Sequence, residues 1–66
     1  MITYKPLLKT LIDKNIKKVE LQKLIECSPA TIAKISKNEL VSLEIINKFC
    51  KTLNCKVEDV IEYVGE

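Results

Sequence analysis

Hydrophobic residues recur at helical spacing along almost the whole chain of 66 residues. Spacings of three and four place apolar side chains on one face of an α-helix. The pattern predicts five helices, at about 6–15, 18–25, 28–37, 42–54 and 57–64, and almost no strand. The fold class expected is therefore all-α. The apolar positions are Leu7, Leu8, Leu11 and Ile12; Leu21, Leu24 and Ile25; Ile32 and Ile35; Leu43, Ile46, Phe49, Cys50 and Leu53; and Val57, Val60, Ile61 and Val64.

Polar residues mark where the central helices begin and end. Ser28 precedes Pro29, and a serine hydroxyl can accept a hydrogen bond from the first helical turn while proline presets φ. Ser42 repeats this start signal for the fourth helix. Asparagine adopts a left-handed conformation more easily than most residues, so Asn38 and Asn54 are expected to end the third and fourth helices.

The second and third helices are joined by only Glu26 and Cys27. Two amphipathic helices with so short a connection cross steeply, and the outer face of the second is left free to enter a DNA major groove. We therefore expect a helix-turn-helix at about residues 18–37.

The length allows one domain, residues 1–66, with a small core. A core of this size rarely supplies more than about 3–5 kcal/mol, so a homodimer is expected. Before the first helix, Ile2, Thr3 and Tyr4 alternate in polarity. This run is either a free extended arm or a strand paired with a partner chain.

The net charge of +2 is unevenly distributed. Residues 1–37 carry eight lysines against three acids, whereas residues 38–66 carry three lysines against six acids. A basic half that contains the third helix suits attraction to phosphates, although an ordinary solvated surface gives the same pattern. The acidic residues Glu58, Asp59, Glu62 and Glu66 are expected to face away from DNA.

The composition argues against several other classes. There are three cysteines and no histidine, without a CxxC pair, so we expect no disulfide framework, metal or cofactor. There is no glycine-rich phosphate loop, histidine base or carboxylate pair set against a cleft, so we expect no enzymatic activity. No membrane span or secretion signal is visible, which predicts a cytoplasmic protein.

Three segments resemble the XRE-type family of phage repressor and Cro-like regulators. They are SPATIAKISKN at the third helix, SLEIINKFCKTLNC at the fourth and KVEDVIEYV after it. The resemblance implies a compact five-helix, lambda-repressor-like domain that binds operator DNA as a dimer and regulates transcription, most often as a repressor.

Transferred to this chain, the family pattern assigns three kinds of DNA contact. It places Lys17 and Lys18 at phosphates, and it turns part of the third helix toward base edges. The end of that helix is expected to approach the DNA backbone through amide groups. The implied DNA-binding residues are Lys17, Lys18, Ser28, Pro29, Ala30, Thr31, Lys34, Lys37 and Asn38, with Ser28 foremost a helix cap.

Two residues depart from this pattern. Glu26 stands where the family usually has glycine, and Gln22 replaces a small residue that lets the helices approach. A non-glycine residue in a left-handed turn costs on the order of 1 kcal/mol, which a fold can absorb. An alternative function is a protein-interaction module of the same fold, antitoxin-like or antirepressor-like, that uses the exposed Pro29 and Ala30.

Overall fold

The computed structural model describes residues 1–65, in which four α-helices surround one small core. A short antiparallel sheet joins the two ends of the chain. The helices are α1 (Lys5–Asp13), α2 (Lys18–Ile25), α3 (Pro29–Ser36) and α4 (Leu43–Leu53); the strands are β1 (Ile2–Thr3) and β2 (Glu62–Tyr63); and one 3₁₀ turn covers Val57–Asp59.

Each α-helix is followed by a residue with left-handed backbone geometry. These residues are Asn15, Glu26, Asn38 and Asn54, with φ between 51° and 57°. Three of the four are asparagine, which tolerates this conformation because its short polar side chain can hydrogen-bond locally. The helix ends predicted near these asparagines are confirmed.

The two predicted serine caps are also confirmed. Ser28 Oγ accepts a hydrogen bond from the backbone N–H of Thr31, and Ser42 Oγ accepts one from Ile45, each at 3.3 Å. Such a cap contributes about 1 kcal/mol, because it satisfies an N–H that has no partner inside the helix. Local sequence thus determines where α3 and α4 begin.

The core collects one apolar face from every helix. Leu7 and Phe49 are completely buried, and Leu21 is almost so. Burying a side chain of this size contributes about 1.5–3 kcal/mol, so this cluster is the main source of stability. Its members are Tyr4, Leu7, Leu11, Leu21, Ile25, Ile35, Ile46, Phe49, Leu53 and Val60.

Several apolar positions of the helical pattern are exposed instead. Leu24, predicted to be buried in α2, is 57% exposed, and Ile12 and Leu43 are 77% and 78% exposed. A domain this small has too little interior to cover every apolar residue on its helices. Within residues 1–65, no helix combines the length and the apolar character needed to cross a membrane.

The predicted fifth helix at 57–64 is wrong. Only Val57–Asp59 forms a helical turn, and the chain then extends into β2. A segment this short is not helical by itself in water, so its contacts decide its conformation. Here α1 binds its backbone: the N–H of Leu7 donates to Val60 O at 3.2 Å and Thr10 Oγ1 donates to Asp59 O at 2.8 Å.

The alternating run at Ile2–Tyr4 contributes β1, which pairs within the same chain. Ile2 lies opposite Tyr63, and Thr3 lies opposite Glu62. The pairing extends one residue further, because Met1 and Val64 exchange two hydrogen bonds at 2.8 and 2.9 Å. Neither a free arm nor a strand given to another chain describes this segment.

Candidate nucleic-acid interface

The turn between α2 and α3 is made by a single left-handed residue, Glu26, at φ 55° and ψ 38°. The backbone N–H groups of Glu26 and Cys27 both donate to Gln22 O, the second at 3.3 Å. Gln22 is half-buried, and the side chain of Glu26 is exposed. The left-handed position therefore falls on the residue where the family resemblance expects glycine, and the side chain of Glu26 lines a shallow surface groove with Lys48 and Lys51 of α4.

Cys27 follows this turn and packs against the core as a half-buried free thiol. Burial raises its pKa, and the nearby charge of Lys48 only partly opposes that effect. A raised pKa keeps the thiol protonated near neutral pH, so Cys27 serves the turn as a small apolar side chain. Among residues 1–65, no three side chains of the His, Cys, Asp or Glu types come together as metal ligands.

The first turn of α3 is organised by Ser28 and Thr31. Besides accepting the Thr31 N–H, Ser28 Oγ lies 3.2 Å from Thr31 Oγ1. Pro29 takes the first helical position, where its missing N–H removes no hydrogen bond. Both hydroxyl groups therefore have a partner inside the protein, and Thr31 is half-buried.

One face of α3 is entirely open to solvent. On the opposite face Ile35 is buried and Ile32 is half-buried, which fixes the rotation of the helix about its axis. Residues three and four apart share a helix face, so the open side chains form one continuous surface. We call this surface the α3 ridge; it consists of Pro29, Ala30, Ala33, Lys34 and Lys37.

Ala33 was not among the residues expected from sequence. It is one turn from Pro29, Ala30 and Lys37, so helical spacing alone was a sufficient signal. Ser36 was also missed, and its role is visible only in the structure: Lys18 Nζ donates to Ser36 Oγ at 3.1 Å. Nothing in the sequence distinguishes Ser36 from any other exposed serine.

The contact with Ser36 brings the first residue of α2 beside the end of α3. The ammonium group of Lys18 thus lies next to the α3 ridge, and Lys17 is exposed at the adjacent position. The backbone N–H of Lys17 is directed to Glu20 Oε1 at 3.4 Å. The structure therefore brings lysines from both helices to one side of the motif.

The end of α3 uses its own backbone amides. The N–H of Lys37 donates to Ala33 O and Lys34 O, each at 3.1 Å, and the N–H of Asn38 donates to Ile35 O at 3.2 Å. The sequence predicts that Lys37 and Asn38 contact the DNA backbone through their N–H groups. In the structure these N–H groups already donate hydrogen bonds within the protein. The side chains of Lys37 and Asn38 are the groups left for a phosphate.

The carboxamide of Asn38 is anchored in the protein. Its Oδ1 accepts hydrogen bonds from the backbone N–H of Tyr4 at 3.1 Å and from Thr3 Oγ1 at 3.4 Å. Beside it, the hydroxyl of Tyr4 donates to Glu39 O at 2.7 Å. The last turn of α3 is thereby tied to the start of the chain.

Charges of opposite sign lie on different parts of the molecule. Four exposed lysines flank or belong to the α3 ridge, namely Lys17, Lys18, Lys34 and Lys37. An acidic cleft lies between α1 and the segment 58–62, lined by Asp13, Glu58, Asp59 and Glu62 together with Lys5 and Lys9. Glu66, also expected on the acidic side, lies outside the described residues.

Comparison with known proteins agrees with this geometry. Residues 6–66 match the family model of the Cro/C1-type HTH DNA-binding domain. The chain is also similar to a solved structure, the transcriptional regulator VanUg in crystal form II, at 43% sequence identity and a TM-score of 0.94. That match covers 98% of this chain and 87% of VanUg.

A search of curated proteins found no match. The family match nevertheless spans nearly the whole chain, and the similarity to VanUg extends over the same fold. The chain therefore belongs to the Cro/C1-type helix-turn-helix DNA-binding domains.

Proposed function

We propose that this protein is a sequence-specific transcriptional repressor that inserts α3 into the major groove of operator DNA. The single observation that carries the proposal is the α3 ridge, a solvent-exposed helix face with lysines on it and beside it. An α-helix with its side chains is about 10–12 Å in diameter, and the major groove of B-DNA is about 12 Å wide, so α3 can enter it. The domain acts in the cytoplasm.

Base reading on this surface is partly apolar. Ala30 and Ala33 offer methyl groups, which suit contact with the methyl group of thymine. Lys34 is the donor on the ridge for guanine O6 or N7. The Thr31 hydroxyl already has Ser28 as a partner, so Thr31 contributes its methyl group and Pro29 contributes shape.

Affinity comes largely from phosphate contacts. Lys17, Lys18 and Lys37 are the cations for this role, and the side-chain amide of Asn38 is a neutral donor beside them. The chain contains no arginine, whose planar fork would hold guanine or phosphate through two hydrogen bonds. Binding therefore depends strongly on salt, because each lysine that meets a phosphate releases counterions.

The active species in this proposal is a homodimer. One α3 ridge contacts only a few base pairs, so two copies related by a twofold axis are needed for a longer site. Their half-sites lie about one DNA turn apart, roughly 10 base pairs between centres. The operator is accordingly an inverted repeat.

Selection from a pool of random duplexes at moderate salt tests the proposal. The expected result is an enriched inverted repeat with the half-site spacing given above. Enrichment of one isolated half-site would contradict the dimer, and no enrichment would contradict sequence-specific binding. Transcription in a purified system should fall when the enriched repeat overlaps the promoter; a rise would make the protein an activator.

The same experiment separates DNA binding from the alternative of a protein-interaction module. Lysine–phosphate contacts lose affinity steeply as the salt concentration rises, whereas an apolar protein interface changes little. A protein that selects no DNA, yet whose ridge binds a protein ligand equally well at low and high salt, has the alternative function.

A further inference from the structure

Two residues before α1 make polar contacts although they are almost completely buried. Thr3 and Tyr4 are each only 2% exposed, although both carry a hydroxyl group. Their partners, Asn38 and Glu39, lie 34 or 35 positions further along the chain, just after α3. We call these four residues the terminal clamp.

The hydrogen bonds of the terminal clamp fix the orientation of the Asn38 side chain. The backbone N–H of Tyr4 can only donate, so the atom that faces it must be the carboxamide oxygen. A second donor, Thr3 Oγ1, reaches the same oxygen. The carboxamide is planar, so holding its oxygen also holds the Nδ2 amide at the exposed end of α3.

The clamp continues into the sheet that joins the chain ends. Thr3 lies opposite Glu62 in the strand pair, and Met1 and Val64 extend the pairing. The end of α3 is therefore connected through β1 to β2, and through Tyr4 to the core. Burial of Ile35 fixes the rotation of α3 about its axis, and the clamp adds hydrogen bonds that hold the end of the helix.

We infer that Asn38 and Tyr4 are positioning residues, which set the angle of the α3 ridge through the terminal clamp and thereby its discrimination between DNA sequences. The inference rests on the proposed function. Tyr4 is buried and therefore out of reach of DNA, and its hydrogen bonds connect it to Asn38 and Glu39 just after α3. Base contacts depend on alignment more strongly than lysine–phosphate contacts, which are long and adaptable.

Three variants separate the parts of the clamp. Asn38→Gly keeps the left-handed backbone accessible and deletes the side chain. Asn38→Asp keeps the acceptor for Thr3 and Tyr4 but adds a negative charge near DNA. Tyr4→Phe deletes only the hydroxyl that donates to Glu39 O, and Tyr63→Phe is its matched control because Tyr63 is 73% exposed in β2.

The measurement is the ratio of affinities for the enriched duplex and a random-sequence duplex of equal length. Both are titrated at the same salt and at a temperature where circular dichroism shows each variant folded. We expect the ratio to fall about tenfold in Asn38→Gly and about threefold in Tyr4→Phe, since each tenfold corresponds to 1.4 kcal/mol of lost alignment. It should stay within twofold of the unmutated protein in Tyr63→Phe. In Asn38→Asp the added charge should lower the affinity for both duplexes, and the ratio should fall less than in Asn38→Gly because the acceptor is kept.

A purely structural role gives a different result. Asn38→Gly and Tyr4→Phe would then be easier to unfold, but the folded protein would keep its affinity ratio, and the inference would be overturned. Tyr4→Phe alone decides the matter if Asn38→Gly does not fold. If the unmutated protein does not distinguish the two duplexes, the proposed function fails first, and the inference fails with it.

Discussion

The helix α3 lies between two left-handed turns that are built differently. Glu26 before it and Asn38 after it have almost the same φ, 55° and 57°. Glu26 carries an exposed carboxylate in a conformation that favours glycine, whereas Asn38 suits the conformation and also binds Thr3 and Tyr4. The front of α3 is thus held by local contacts, and the back by residues from the start of the chain.

The two ends of α3 therefore contribute differently to the motif. Pro29 and Ala30, which we propose face the bases, lie at the front of α3, where the cap between Ser28 and Thr31 provides polar support. The back of the helix carries the long-range contacts and is therefore the rigid end. Changes at the back should cost more stability than changes at the front.

The largest effect is expected for Asn38→Ala. Alanine is strained at positive φ, and the buried N–H of Tyr4 loses its acceptor, so the free energy of unfolding should fall by about 3 kcal/mol. Urea denaturation measures this free energy of unfolding. Asn54→Ala is the matched control, because Asn54 is also left-handed, at φ 51°, but lies outside the clamp; it should lose only about 1–2 kcal/mol. Equal losses at the two sites would show that the clamp contacts of Asn38 add no stability.

Ser28→Ala tests the front of the helix. Losing the cap leaves the Thr31 N–H without its side-chain acceptor, and stability should fall by about 1 kcal/mol in the same assay. Ser42→Ala removes the equivalent cap of α4 and should lower stability similarly. Only Ser28→Ala should also weaken DNA binding, so a matching loss of affinity in Ser42→Ala would count against a specific role for the front of α3.

The smallest stability change is a gain, expected for Glu26→Gly. Glycine accepts φ 55° without strain, and thermal melting should show a stabilisation of about 0.5–1 kcal/mol. DNA affinity should rise as well, because the helix-turn-helix loses a negative charge that repels phosphate. Glu26→Gln separates the two effects, since it removes the charge but keeps the strain. A lower melting temperature for Glu26→Gly would show that the turn does not need glycine-like geometry.

The sequence predicts the front of the motif better than its back. Ser28 and Pro29 act on backbone groups within a few residues, so their signals are readable in a short window. The clamp joins Tyr4 to Glu39, which are 35 positions apart, and no local sequence pattern spans that separation. For the same reason, the contact of Lys18 with Ser36 is invisible in the sequence.

The C-terminal segment shows how a correct pattern can predict the wrong element. Val57, Val60, Ile61 and Val64 have helical spacing, yet only Val60 is fully buried. After the 3₁₀ turn, pairing with β1 replaces the helical bonds of this segment, and the turn itself is hydrogen-bonded to α1. Periodicity identified Val60 as a core residue, and tertiary contacts decided the conformation around it.

The central claim is that the α3 ridge reads DNA, and fluorescence anisotropy titrations over a range of salt concentrations test it most directly. Lys34→Ala should cost about 1–3 kcal/mol and relax discrimination at one base position. Lys18→Ala should weaken binding to all sequences alike and reduce the salt slope by about one. Lys9→Ala, in the acidic cleft, is the control and should leave both quantities unchanged. If Lys34→Ala and Lys18→Ala bind DNA as tightly as Lys9→Ala does, the ridge is not the DNA-binding surface.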